Sequence, residues 1–135
     1  MAPRIFCDTG VLIRADPVAK DGWTALAAAR IIDSDVELVV STAVLLEAVH
    51  VLRGDYGLAN PVVGNLLVEF LLRENVTLTD ADQAQTIAAV RRSIASSARR
   101  IPDAIVAAAA ERAGCEQIIT FDAHFASTTV PVRLL

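Results

Sequence analysis

Asp8, Glu47, Asp103 and Asp122 are the residues of this chain whose types and positions suit shared chemistry. Asp8 closes the apolar run Arg4-Ile-Phe-Cys-Asp8. Glu47 interrupts the otherwise apolar stretch Ala43-Val-Leu-Leu-Glu-Ala-Val-His-Val-Leu52. Asp103 follows Pro102 at a helix start, and Asp122 follows Gln117-Ile-Ile-Thr-Phe. Carboxylates brought together repel: two unit charges ~4 Å apart cost roughly 4 kcal/mol at an effective dielectric of 20. A fold that converges them is expected to hold a hard cation such as Mg²⁺ there, which points to metal-dependent phosphodiester chemistry.

Each acid also has an ordinary reading. Asp8 before Thr9-Gly10 suits an Asx turn or a helix cap. Glu47 shares a helical stripe with Ala43, His50 and Gly54, either a narrow solvated face or a small-residue groove presenting a carboxylate. Asp103 in a first helical turn stabilises the helix by ~0.3–1 kcal/mol. The small residues Ala104-Ile-Val-Ala-Ala-Ala-Ala110 would let that helix approach the sheet closely and draw Asp103 towards Asp8. Asp122 in Thr120-Phe-Asp-Ala-His-Phe125 suits a turn.

The elements that must position these acids alternate. Strands are expected at Arg4–Cys7, Glu37–Val40, Val76–Thr79, Gln117–Thr120 and Val132–Leu134. A short helical turn is expected at Gly10–Arg14, and a helix from Pro17 to Asp33 with Trp23, Leu26, Ala27 and Ile31 at i, i+3, i+4 spacing. Ser41 or Thr42 caps the helix carrying Glu47, and Gly54 can end it. Asn60-Pro61 opens a helix to about Glu74, Asp80 or Asp82 caps one to about Ser96, and Pro102 starts one that Gly114 stops. Alternation predicts an α/β fold: a three-layer α/β/α domain over residues 1–135 with a central, mostly parallel sheet of four to five strands. In such sheets the functional crevice lies beyond the carboxyl ends of the strands, where Asp8 and Asp122 sit.

Composition narrows the classes. The 135 residues suit one domain, and 54% of them are hydrophobic, with a mean hydropathy of +0.49. That surplus is read as an Ala-rich core together with apolar surface covered by a partner. No apolar stretch approaches the ~18 residues that span a bilayer. Asp8 comes too early for a signal-peptide apolar region, so a cytoplasmic chain with no membrane partner is expected. Cys7 and Cys115 are expected as buried free thiols. The net charge of −4 opposes bulk capture of nucleic acid. Bound divalent ions would invert that field locally. Arg91, Arg92, Arg99 and Arg100 are four of only twelve basic residues. They form either a solvated helix face or a phosphate-contacting rim, and the rim is favoured because an acidic protein that must hold a phosphodiester substrate needs a local basic patch.

With these residues in view, the chain resembles the PIN-domain ribonucleases, in particular the toxin of bacterial VapBC-type toxin–antitoxin pairs. Asp8-Thr-Gly-Val-Leu-Ile13 resembles the family's first motif, Ser41-Thr-Ala-Val-Leu-Leu-Glu47 the second, Pro102-Asp-Ala-Ile-Val-Ala107 the third and Thr120-Phe-Asp-Ala-His-Phe125 the fourth. The likeness departs from the pattern at Gly10, where Asn is common, and at Arg100, where some relatives carry an acid. It implies that Asp8, Glu47, Asp103 and Asp122 hold one or two Mg²⁺ or Mn²⁺ ions, Asp8 and Asp103 most directly, with Thr9 and Thr120 orienting carboxylates. It further implies an endoribonuclease working through metal-activated water, an RNA substrate, a VapB-type antitoxin partner and a homodimer. The alternative is a PIN-like module that binds RNA or a partner without cutting. Phosphoaspartyl hydrolases would need an acid at Gly10, and response-regulator receivers a late-strand lysine, whereas the only lysine is Lys20.

Overall fold

The computed structural model describes residues 3–14, 23–96 and 100–135. The chain runs β1 (Arg4–Phe6), α1 (Thr9–Arg14), α2 (Trp23–Ile32), β2 (Glu37–Val40), α3 (Thr42–Gly54), α4 (Asn60–Leu71), β3 (Val76–Leu78), α5 (Gln83–Ile94), α6 (Ile101–Arg112), β4 (Ile118–Thr120) and β5 (Val132–Leu134). The α/β class is as expected, and every strand pair is parallel. The sheet is divided where one sheet of four to five strands was expected. Three strands run in the order β1-β2-β3, and β4 pairs with β5 alone. Backbone bonds from Ile118 N–H to Pro131 O and from Leu135 N–H to Thr120 O commit β4 to β5. The outer edge of β1 stays open among the described residues, and Phe6, Ile119 and Phe121 are exposed.

Alternation along β2 and β3 sends Leu38, Val40, Val76 and Leu78 into the core, where all four are buried. The opposite face is more polar than expected of a doubly covered sheet. Arg4 Nε meets Glu37 Oε2 at 3.0 Å, and Thr77 Oγ1 donates to Glu37 Oε1 at 3.1 Å.

Helix α3 contributes Val44, Leu45, Ala48, Val49 and Leu52 to the core, one face of a 3.6-residue repeat. They join Leu12 and Ile13 of α1, Val63, Leu67 and Leu71 of α4, and Ile101 and Ile105 of α6 in one cluster. Helix α4 lies close against α5, because a Cβ on Gly64 would stand 2.4 Å from Ile94 Cγ1. Among the described side chains of α2, Ala28 and Ile32 are buried, whereas Leu26 and Ile31 of the expected stripe are exposed. The stretch 15–22 and the side chains of Trp23 and Ala27, the rest of that stripe, lie outside the described residues.

Capping explains where the site helices begin and end. Ser41 accepts from Val44 N–H at 3.4 Å, as expected. Asp82 caps α5, accepting from Gln85 N–H at 2.7 Å. Asp80 instead reaches across to α3: it takes the Thr42 N–H at 2.8 Å and the Thr42 hydroxyl at 2.7 Å. Asp80→Ala is therefore expected to destabilise the fold by about 1 kcal/mol, read as a lower urea midpoint with unchanged slope. Helix α6 stops at Gly114, whose φ is 71°. Gly114 N–H bonds to Glu111 O and Cys115 N–H to Ala110 O, the reversal that favours glycine. That reversal leaves Cys115 exposed, contrary to expectation, while Cys7 is buried as expected. No helix among the described residues is long and apolar enough to cross a membrane.

Candidate active site

The first half of the site forms where β1 runs into α1. Asp8 is exposed there and starts the helix through its backbone carbonyl, which accepts from Val11 N–H and Leu12 N–H. Thr9 follows and is only 3% exposed. Its hydroxyl donates to Glu47 Oε2 at 3.2 Å, with Val44 O as the alternative acceptor at 3.5 Å. This contact ties the Asp8 turn to the Glu47 carboxylate across 38 residues of sequence. Glu47 is exposed on α3, so the stripe of Ala43, Glu47, His50 and Gly54 faces outward. Glu47 lines a cleft of about 330 Å³ with Thr9, Gly10, Arg14, Asp55 and Tyr56. Thr9→Val removes the bond and should loosen Glu47 without removing volume from the core. The expected result is a several-fold loss of divalent-ion affinity with a near-native urea midpoint, compared by calorimetric titration.

The second half assembles around the start of α6. Asp103 is a buried charged residue, 7% exposed. A buried carboxylate without a partner would be costly, and Arg100 supplies one. The guanidinium gives Nε to Asp103 Oδ2 at 3.2 Å and Nη2 to the same oxygen at 3.1 Å. Nη2 also bonds Asp122 Oδ2. Ala126 N–H approaches Asp103 Oδ2 at 3.5 Å. Asp122 is half-buried at the end of β4 and makes the expected turn as well, since its Oδ1 accepts from His124 N–H at 2.8 Å. Thr120 accepts from Asp122 N–H at 3.0 Å and so fixes the backbone of that acid rather than its carboxylate.

Charge follows these contacts. The hydrogen bond from Arg100, and then that from the His124 N–H, hold the Asp122 carboxyl below its ordinary value. The Arg100 guanidinium is raised in turn by its bond to Asp122 and by the charge of Asp103. A depressed carboxylate stays ionised above its ordinary pKa and loses the contact only as pH falls through the lowered value. A carboxyl NMR titration of Asp122 is expected to give a midpoint below 3.8. Cys7 shifts the other way: burial, then the neighbouring Asp8 charge, push its thiol up, which marks it as inert.

Glu47 thus belongs with Thr9, and Asp103 with Asp122 through Arg100. Among the described residues, no three His, Cys, Asp or Glu side chains stand close enough together to hold a metal ion. The four acids are hard oxygen donors suited in type to Mg²⁺ or Mn²⁺. Their arrangement here has two of them engaged by a guanidinium. Of the expected basic rim, Arg91 is exposed, and Arg92 lines a small cavity with Ala89, Ala104 and Ala126. Arg100 is turned to the carboxylates, and Arg99 lies outside the described residues. His50 and His124 are exposed, and Phe125 is half-buried. Sequence reading missed the Arg100 bridge, although the i, i+3 spacing of Arg100 and Asp103 was a signal for it.

Asp8 and Asp122 lie beyond the carboxyl ends of β1 and β4, and Asp103 at the start of α6, the edge at which open α/β folds place their functional crevice. The chain matches the PIN domain over residues 5–130 and belongs to that family. PIN domains are typically metal-dependent nucleases and generally use divalent metal ions. No curated protein matches the chain.

Proposed function

We propose that this chain is a Mg²⁺- or Mn²⁺-dependent endoribonuclease and the toxin of a VapBC-type toxin–antitoxin pair. The observation that carries the reading is the buried Asp103 at the N-terminus of α6, within a chain that matches the PIN domain over residues 5–130. Asp8, Glu47, Asp103 and Asp122 would hold the ion. When bound, the ion would neutralise phosphate charge and lower the pKa of a water. Thr9 steadies the Glu47 carboxylate through its hydroxyl, and Thr120 steadies the turn that presents Asp122. The α6 N-terminus favours negative charge at Asp103 through its dipole. Arg91, exposed on α5, would contact RNA phosphates. The exposed apolar residues Phe6, Leu26, Ile31 and Phe121 suit cover by an antitoxin segment or a second copy. A cytoplasmic homodimer is the assembly that fits this role.

The test is RNA cleavage by the purified chain with Mg²⁺ or Mn²⁺, set against the same protein in EDTA. Expression in bacteria should arrest growth unless the antitoxin is co-expressed. Normal growth with verified soluble protein counts against the toxin role but not against the nuclease. The second reading, a PIN-like module that binds RNA or a partner without cutting, draws support from Arg100 seated on Asp103 and Asp122. A binder keeps its RNA affinity in EDTA and never cuts.

A further inference from the structure

We infer that Arg100 is a tethered counter-cation that occupies the carboxylates of Asp103 and Asp122 and must withdraw before they take a divalent ion. The inference deepens the metal-ligand reading of these acids and rests on it. Arg100 sits at the N-cap of α6 and makes no side-chain bond to the helix end. Its fork is spent on the acids: Nε and Nη2 converge on Asp103 Oδ2 at 3.2 and 3.1 Å, and Nη2 also binds Asp122 Oδ2. Asp103 is buried and needs a positive partner, which the guanidinium provides before any ion arrives. An oxygen whose lone pairs face two N–H donors cannot also ligate Mg²⁺ at the ~2.1 Å that ion demands. A guanidinium and a divalent ion on one pair of carboxylates also repel each other.

Withdrawal is feasible because the Arg100 side chain is 48% exposed, against 10% for Asp103. The head group can swing to water while the acid stays in place. Charge-assisted bonds are strong, but solvent screening at a half-exposed group reduces their worth, so the expected penalty on ion affinity is about ten-fold. A purely structural ion pair would behave otherwise. It would lower stability when broken and leave ion affinity unchanged.

The test measures Mn²⁺ binding by electron paramagnetic resonance, without RNA, on the full chain and on Arg100→Gln and Arg100→Lys. Melting curves in EDTA and in Mn²⁺ verify folding. Arg100→Gln is expected to bind Mn²⁺ about ten-fold more tightly than the parent chain, and to show a larger Mn²⁺-induced rise in melting temperature. Arg100→Lys keeps the charge without the fork and should fall between the two. Equal or weaker binding by Arg100→Gln overturns the inference. If that variant does not fold, Arg100→Lys decides, and affinity no tighter than the parent overturns it. Parent protein that binds Mn²⁺ as tightly as both variants and cleaves RNA sinks the counter-cation alone. Absence of Mn²⁺ binding in all three folded chains sinks the metal-ligand reading with it.

Discussion

Asp8→Asn is expected to lower divalent-dependent RNA cleavage by at least about a thousand-fold, roughly 4 kcal/mol of barrier. The amide keeps the side chain's shape and removes its charge, so the change acts on ion binding rather than on packing. Asp8 is exposed, and the bonds it contributes to α1 come from its backbone carbonyl, which the substitution leaves alone. The melting temperature should stay within about 2 °C of the parent value, as for ordinary surface changes. Asp103→Asn should match the loss of cleavage with a larger stability cost, because the guanidinium of Arg100 would lose one of its two carboxylates. Cleavage by Asp8→Asn equal to that of the parent would remove Asp8 from the site.

The second large effect is on stability. Leu45 is fully buried in α3, two residues before Glu47, within the cluster that joins α1, β2, α3, α4 and α6. Leu45→Ala forfeits the transfer energy of the lost carbons and leaves a cavity where several elements meet. A cost of about 3 kcal/mol is expected, or a fall in melting temperature of roughly 10 °C for a chain of this length. Residual cleavage at low temperature should be near normal, since no carboxylate is altered. A loss below about 1 kcal/mol would mean that this centre collapses to fill the space, and that α3 is held more loosely than the packing indicates.

Local signals in the sequence located most elements to within a residue or two. The Ser41 cap, Pro102 in the first turn of α6 and Gly114 beyond its end each act through bonds to near neighbours. Family membership was legible through the resemblance of four motifs in order, and the chain matches the PIN domain over residues 5–130.

What sequence could not show depends on contacts across the chain. Asp80 reads as a cap for the helix that follows it, yet it binds Thr42, 38 residues away. Of the stripe Trp23, Leu26, Ala27 and Ile31, Leu26 and Ile31 are exposed while Ala28 and Ile32 beside them are buried, because spacing alone does not choose which face of α2 is covered. Arg100 could be read as a phosphate contact or as an ion-pair partner. Only the fold brings Asp122, 22 residues later, within its reach. The separation of β4 and β5 from the other strands was likewise invisible, because parallel strands carry no turn that fixes their neighbour.

The most direct measurement is the anomalous difference map of crystals grown with Mn²⁺. The account expects a peak bounded by the carboxylates of Asp8 and Asp103, with the guanidinium of Arg100 drawn away from Asp103. Ordered protein with full Mn²⁺ in the mother liquor, no peak at those carboxylates and Arg100 still seated on Asp103 would contradict it.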